Sequence, residues 1–160
     1  MHPQRKLIIS IYKMTDNKII EQEETLLLRR KLDLLLRTGK LLVESAADTN
    51  RVVRNMKRVA AYLGLPEEKL HIDVSYTMLM VNVSDEAHSF SKFQKCEKHG
   101  INMTAISAIS KLSWRAIEQD YSLDEYEKEL ERISHTPLPT VPKPRIATFA
   151  IACTPLSNAG

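Results

Sequence analysis

The sequence predicts an α+β fold: two N-terminal amphipathic helices, a small three-stranded antiparallel meander, and two C-terminal helices packed on one sheet face. Three observations predict it. Apolar residues recur at helical spacing up to about residue 63, alternate with polar ones between residues 70 and 95, and return to helical spacing from about residue 104. The alternating runs are joined by short connections, which suit antiparallel neighbours rather than crossovers. Helices before and after such a meander make a layered α+β domain.

Residues 1–17 read as an N-terminal extension. Within them "KLIISIYK" (6–13) is β-branched and aromatic enough for a strand and equally suits an appendage. The domain proper is expected over residues 18–135. Its first helix runs from about Ile19 to Ala46, because Leu28, Leu32, Leu35, Gly39, Leu42 and Ala46 follow one another at steps of four and three. Leu27, Leu34 and Leu41 widen that stripe. Glu21, Glu23 and Glu24 fall in the early turns, where the positive end of the helix favours carboxylates. Gly39 weakens a helix relative to alanine, so its presence predicts close approach of another element.

The second helix is expected from Asp48 or Thr49, either a competent N-cap, to Leu63, with Val52, Met56, Val59, Ala60 and Leu63 inward. Gly64 before Leu65-Pro66 predicts a left-handed glycine just past the helix end. In "KLHIDVSY" Leu70, Ile72, Val74 and Tyr76 alternate with His71, Asp73 and Ser75 as a half-buried strand. "MLMVNVS" continues with Leu79, Val81 and Val83 on one face, "DEAH" supplies a turn, and "SFSKFQK" alternates as the third strand. A third helix follows over about Thr104–Asp120. Ala105, Ala108 or Ile109, Leu112 and Ala116 point inward there, with Trp114 and Ile117 beside them as core. Ser122-Leu123-Asp124-Glu125 is a capping box for a fourth helix with Leu123, Tyr126, Leu130 and Ile133 inward. Residues 136–160 hold five prolines and read as a linker into a truncated or divergent start of a membrane segment, "IATFAIAC".

Composition narrows the function. The chain has 160 residues and a formal net charge of +3, from 23 basic and 20 acidic residues. Nucleic-acid binding would need a concentrated basic face rather than so small an excess. Cys96 and Cys153 form neither a disulfide framework nor a zinc pattern, which fits a reducing compartment. "LIISIY" is too short for a signal peptide, and no window approaches the ~20 apolar residues of a membrane helix. The chain as given is therefore expected to be soluble.

Three groups of residues carry possible chemistry. Ser45 between acids could be a nucleophile, but no histidine is tied to it by a motif and no strained elbow surrounds it, so a helix-junction role fits better. His71 and Asp73 share a strand face and could ligate a metal with His88 or His99. A polar strand face explains them without one. Arg51, Arg54 and Arg58, with Lys57 alongside, make a basic stripe on the second helix (49–63) that a small DNA-binding regulator could use. The long preceding helix argues against a helix-turn-helix reader, and a solvated basic face fits better. A regulator of this kind, or a hydrolase or metalloenzyme using Ser45 or His71/Asp73, are the alternative functions.

"ESAADTNRVVRNMKRVAAYLGL" resembles the signature of the threonine/serine exporter family, a Glu-Ser-Gly-Ala-Glu-Thr-x-Arg-Val pattern on a helix that ends in Leu-Gly. Glu44, Ser45, Ala47, Thr49, Arg51, Val52, Arg58, Leu63 and Gly64 match it, while Ala46 stands where glycine is usual and Asp48 where glutamate is usual. Gly100, Ile101 and Asn102 resemble the family's Gly-Ile-Asn segment before a helix, and "YSLDEYEKELERI" sits where the family has a similar helix. The resemblance covers about residues 20–135. It implies the N-terminal cytoplasmic domain of a bacterial inner-membrane exporter of threonine, serine or, in split two-component relatives, dicarboxylates. It implies no enzymatic activity, no cofactor, no metal and no nucleic acid. The implied partners are the membrane half of the transporter or a separate membrane subunit, a small amino acid or dicarboxylate, and a second copy of the chain. The role would be gating, substrate sensing or assembly. Carried over to this chain, Glu44 would meet an amino group and Arg51 a carboxylate, with Ser45, Thr49 and Asn102 in support, while Ala47, Arg58, Gly64 and Gly100 hold the motif's shape.

Overall fold

The computed structural model describes residues 3–84 and 88–137. In chain order it contains α1 (Pro3–Glu44), α2 (Thr49–Tyr62), a single 3₁₀ turn (Glu67–Lys69), β1 (Leu70–Val74), β2 (Met78–Ser84), β3 (Ser89–Lys95), α3 (Met103–Glu118) and α4 (Leu123–Ser134). The strands form one antiparallel sheet in the order β1-β2-β3. This is the α+β architecture expected from the alternation of periods.

Register follows side-chain alternation. Ile72 stands opposite Val81, which stands opposite Lys92, and Val83 stands opposite Phe90. Leu79 and Val81 are buried, with Leu70, Ile72, Val74, Val83 and Phe90 packed against them. That face is covered by α1, which packs on β2 and β3, and by α2, which packs on β1. Helices α3 and α4 lie on the same side one layer further out, α3 on α2 and α1, α4 on α3 and α1. The opposite sheet face carries the exposed His71, Asp73, Ser91 and Phe93.

The first helix is the largest departure from expectation. It begins at Pro3 and spans 42 residues, so the 6–13 stretch that suited a strand is helical, and the helix runs unbroken through residues 17 and 18. Glu21, Glu23 and Glu24 consequently lie mid-helix, away from the positive end that was expected to favour them. Its second half builds the core: Leu32, Leu34, Leu35, Leu36, Leu42 and Val43 are buried. Leu27 falls outside that stripe and is exposed, as is Ala46, which lies past the helix end. Gly39 permits the approach its presence predicted. A Cβ there would sit 2.6 Å from Met56 Sδ and 3.1 Å from Leu79 Cδ1, so α2 and β2 both close on this one position.

Polar ties set the outer layer. Tyr126 is fully buried, and its hydroxyl lies 3.0 Å from Thr38 Oγ1. Thr38 gives its only proton to the Leu34 carbonyl at 2.8 Å, so Tyr126 donates to Thr38. Burial holds that phenol well above its usual ionisation range. Arg30 pairs with Asp124 and Glu127, and Arg37 donates to Glu127 at 2.6 Å, clamping α1 to the first turns of α4. The capping box at Ser122 and Glu125 forms as the sequence predicts.

Strand β1 stops at Val74, and Tyr76, expected at its end, is in the following turn and exposed. Ala105, Ile109, Leu112 and Ala116 of α3 face inward, whereas Trp114 (51% exposed) and Ile117 (45%) do not belong to the core. A helix with inward residues at 105, 109, 112 and 116 turns position 114 outward. Residues 85–87 of the expected turn at 85–88, and the linker and apolar run from residue 138 onward, lie outside the described residues.

Candidate functional site

The corner between α1 and α2 is built from the end of one helix and the start of the next. After Glu44 the chain turns through Ala46 in the left-handed region (φ 61°). Ala46 N–H donates to the Val43 carbonyl and Ala47 N–H to the Leu42 carbonyl, both at 3.0 Å. This is the crossed pair of bonds that closes many helices, and it normally recruits glycine. Asp48 is the N-cap of α2: its Oδ1 accepts from Arg51 N–H at 2.9 Å, and Thr49 is the first helical residue.

The segment between β3 and α3 folds against this corner. Glu44 Oε1 accepts from the backbone N–H of Glu97 at 3.0 Å and of Lys98 at 3.3 Å, with Lys40 Nζ 3.9 Å away. The Glu44 carbonyl accepts from Gly100 N–H at 2.9 Å, and the Ser45 carbonyl from Asn102 N–H at 3.1 Å. Asn102 in turn caps α3, its Oδ1 accepting from Ala105 N–H at 3.0 Å. Four hydrogen bonds thus clasp the corner to residues 97–102. Hydrogen bonds to a carboxylate are among the stronger ones, each worth about 1.5–3 kcal/mol.

Beside the clasp lies a concavity of about 460 Å³. Val43, Val52 and Val74 line it with the polar edges of Thr49, Ser75, Tyr76 and His99. Tyr76 and His99 stack with ring centroids 3.9 Å apart and planes 14° from parallel. The turn that presents Tyr76 is held by Ser75, whose Oγ accepts from Met78 N–H at 3.0 Å, and by Cys96 N–H donating to the Thr77 carbonyl. The Cys96 thiol is buried, and burial with the nearby Glu44 carboxylate raises its pKa, which keeps it protonated.

The sequence-predicted residues therefore divide. Glu44, Ser45 and Asn102 come together at the clasp, with the Glu44 carboxylate turned to the 97–98 backbone and Ser45 buried. Thr49 reaches the concavity. Arg51 Nε lies 3.6 Å from Asp48 Oδ2, outside the residues that line it. Ala47 lines the concavity, Gly64 takes the left-handed conformation (φ 72°), and Gly100 contributes its backbone N–H. Arg58 works elsewhere. Its Nη1 donates to Ser113 Oγ at 3.0 Å and its guanidinium lies 4.0 Å over the Trp114 ring, joining α2 to α3. Partial burial, and then Arg54, lower its pKa.

Of the basic stripe, Lys57 pairs with Glu67 at 2.6 Å and Arg58 is committed to α3, so two of its four cations serve the fold. His71 and Asp73 are exposed on the outer sheet face, and among the described residues no three His, Cys, Asp or Glu side chains gather as a metal set. Tyr76, Ser75 and His99 were not singled out as a group from the sequence. No spacing connects them, because a strand turn and a loop more than twenty residues apart meet only in the fold.

No described helix is long and apolar enough to cross a membrane. The family model described as "Putative threonine/serine exporter" matches residues 33–158, while no curated protein and no solved structure matches.

Proposed function

Because the chain belongs to the threonine/serine exporter family, we propose that its described residues form the cytoplasmic domain of a bacterial inner-membrane exporter and sense the small polar metabolite to be exported. The observation that carries this reading is the meeting of two segments distant in sequence. Glu44–Ser45 and Gly100–Asn102 join in one clasp, and the concavity beside them is of amino-acid scale. A mostly apolar hollow with a few convergent polar groups is the usual form of a small-ligand site.

In this reading Thr49 and His99 offer hydrogen bonds to the ligand, and the valines accept its aliphatic carbons. Glu44 and Asn102 act by holding the wall, since neither lines the hollow and Glu44 Oε1 and Asn102 Oδ1 accept from backbone N–H groups. Arg51, one turn into α2, attracts a carboxylate toward the mouth. Occupancy of the hollow would tighten the 97–102 segment against the corner and so bias whatever docks on this domain, either a membrane-spanning continuation of the chain or a separate membrane subunit.

Calorimetry tests this directly by titrating threonine, serine and succinate into the 160-residue chain. Threonine or serine is expected to bind, and Thr49→Val to weaken binding about tenfold, the loss of one well-made hydrogen bond. Arg51→Ala is expected to cost less. Absence of any heat with the wild-type chain would remove the sensing role and leave gating or assembly.

A further inference from the structure

Helix α1 changes its surroundings partway along its length. From Glu21 onward it meets the chain's own sheet, where Glu21, Glu24 and Leu28 line a hollow with Val83 and Phe90. Residues 4–20 precede that hollow and are exposed at every position. At ~1.5 Å per residue, the stretch from residue 3 to residue 20 is a rod about 27 Å long.

The rod has two faces. Ile8, Ile11, Thr15 and Ile19 follow one another at steps of three, four and four, and Leu7 and Tyr12 widen the row. The five apolar side chains among them are between 49% and 68% exposed. Thr15 does not interrupt the face, because its hydroxyl donates back to the Ile11 carbonyl. Lys6, Ser10, Lys13 and Asn17, at steps of four, three and four, make the opposite face. Arg5 and Lys18 flank the apolar row, and such side chains lay their aliphatic stems along an apolar surface while their charges stay in water.

Charge says what this face meets. Residues 3–20 hold four of the chain's 23 basic residues, Arg5, Lys6, Lys13 and Lys18, and one of its 20 acidic residues, Asp16. The rest of the chain has nineteen of each, so the whole excess of +3 lies in this one stretch. A basic helix with isoleucine, leucine and tyrosine on one side is the form that lies in the interface of an anionic bilayer. A second copy fits less well. Leu7, Ile8, Ile11 and Tyr12 make a face broader than a coiled-coil seam, and pairing two such helices would set the positive excess of each against the other. The family match starts at residue 33, so it does not account for this stretch.

We propose that residues 3–20 of α1 bind an anionic lipid surface, with the apolar row at the acyl boundary and the basic side chains among the headgroups. Because α1 is unbroken from Pro3 to Glu44, the packed domain is then carried at the membrane surface on a helical arm. The inference does not rest on ligand sensing: vesicle binding and threonine binding are separate measurements, and either can fail alone.

Co-sedimentation of the 160-residue chain with vesicles tests this, comparing pure phosphatidylcholine with phosphatidylcholine containing about 30% phosphatidylglycerol. The chain is expected to bind the anionic vesicles far better than the neutral ones, and less well as salt is raised. Lys13→Glu with Lys18→Glu is expected to weaken binding at least about tenfold. Ile8→Ser with Ile11→Ser keeps every charge and is expected to weaken it at least about tenfold as well. All four positions are exposed, and an unchanged thermal midpoint shows that the variants fold.

A wild-type chain left in the supernatant with anionic vesicles at low salt would overturn the proposal. So would equal binding to neutral vesicles, or binding untouched by the isoleucine pair, which would leave charge attraction without insertion. A dimer in light scattering that the isoleucine pair abolishes, from a chain that ignores vesicles, would give the face to a second copy and overturn it equally.

Discussion

Two helices of this domain end in the same way with different residues. Helix α1 closes through Ala46 and α2 through Gly64, each left-handed, and each followed by the same crossed pair of backbone bonds. At Gly64 the N–H bonds to the Ala61 carbonyl and that of Leu65 to the Ala60 carbonyl, matching Ala46 to Val43 and Ala47 to Leu42. Yet left-handed alanine costs about 1–2 kcal/mol relative to a right-handed residue, and glycine does not. The surroundings differ accordingly. The Gly64 turn looks onto open space, where an added Cβ would meet nothing nearer than Lys31 Nζ at 3.9 Å. The Ala46 turn is gripped from outside by the 97–102 segment. A helix end can thus be fixed by the freedom of its own residue, or by tertiary hydrogen bonds that hold a strained one in place.

The largest expected effect is at the clasp. Glu44→Ala leaves the Glu97 and Lys98 N–H groups without their acceptor and should lower unfolding free energy by about 2–4 kcal/mol, measured by urea denaturation. A change smaller than the spread between replicate curves would mean the Ala46 turn needs no outside grip. Next is Gly64→Ala. With space available and only backbone strain to add, it should cost about 1–2 kcal/mol. A cost near zero would dissolve the distinction between the two ends. Smallest and opposite in sign is Ala46→Gly, expected to stabilise by about 0.5–1 kcal/mol once glycine's greater unfolded-state entropy is subtracted. Thermal unfolding should show a raised midpoint, and a lowered one would show that Ala46 packs usefully despite its backbone.

The same pair of turns explains what could be read from the sequence. Gly64 before Leu65-Pro66 announces its conformation in its own chemistry, as do the Ser122 capping box and the alternation of the strands. Gly39 likewise signalled a close approach, and Met56 and Leu79 make it. Ala46 announces nothing by itself, because its left-handed backbone is imposed by residues more than fifty positions later. Its helical spacing places it in the first helix, and the family resemblance marks it only as standing where glycine is usual. Trp114 misled for a related reason: its size argues for the core, but α3 turns it outward, and its partner Arg58 lies on another helix. Helix α1 outran its expected start because residues 3–18 have helical geometry without the buried stripe that periodicity detects. Of the candidate site, Glu44, Ser45, Thr49 and Asn102 are named by the family resemblance, since their spacing alone supports only a corner between two helices. Tyr76 and His99 are not, since their stacking is made by a turn and a loop from different parts of the chain.

The clasp also has a bearing on time. Its four bonds join residues 53 to 57 positions apart, so closing it requires ordering a long intervening chain before any reward is gained. The α1–α2 hairpin and the meander can form from near neighbours, whereas the clasp belongs to the last stage of folding and the first stage of partial opening. The backbone amide hydrogens of Gly100 and Asn102 are therefore reporters of a local opening in which residues 97–102 lift while the core stays packed. In solvent-exchange experiments they should trade with deuterium sooner than the amides of Leu35 or Met56, and at a rate set by the grip of one carboxylate.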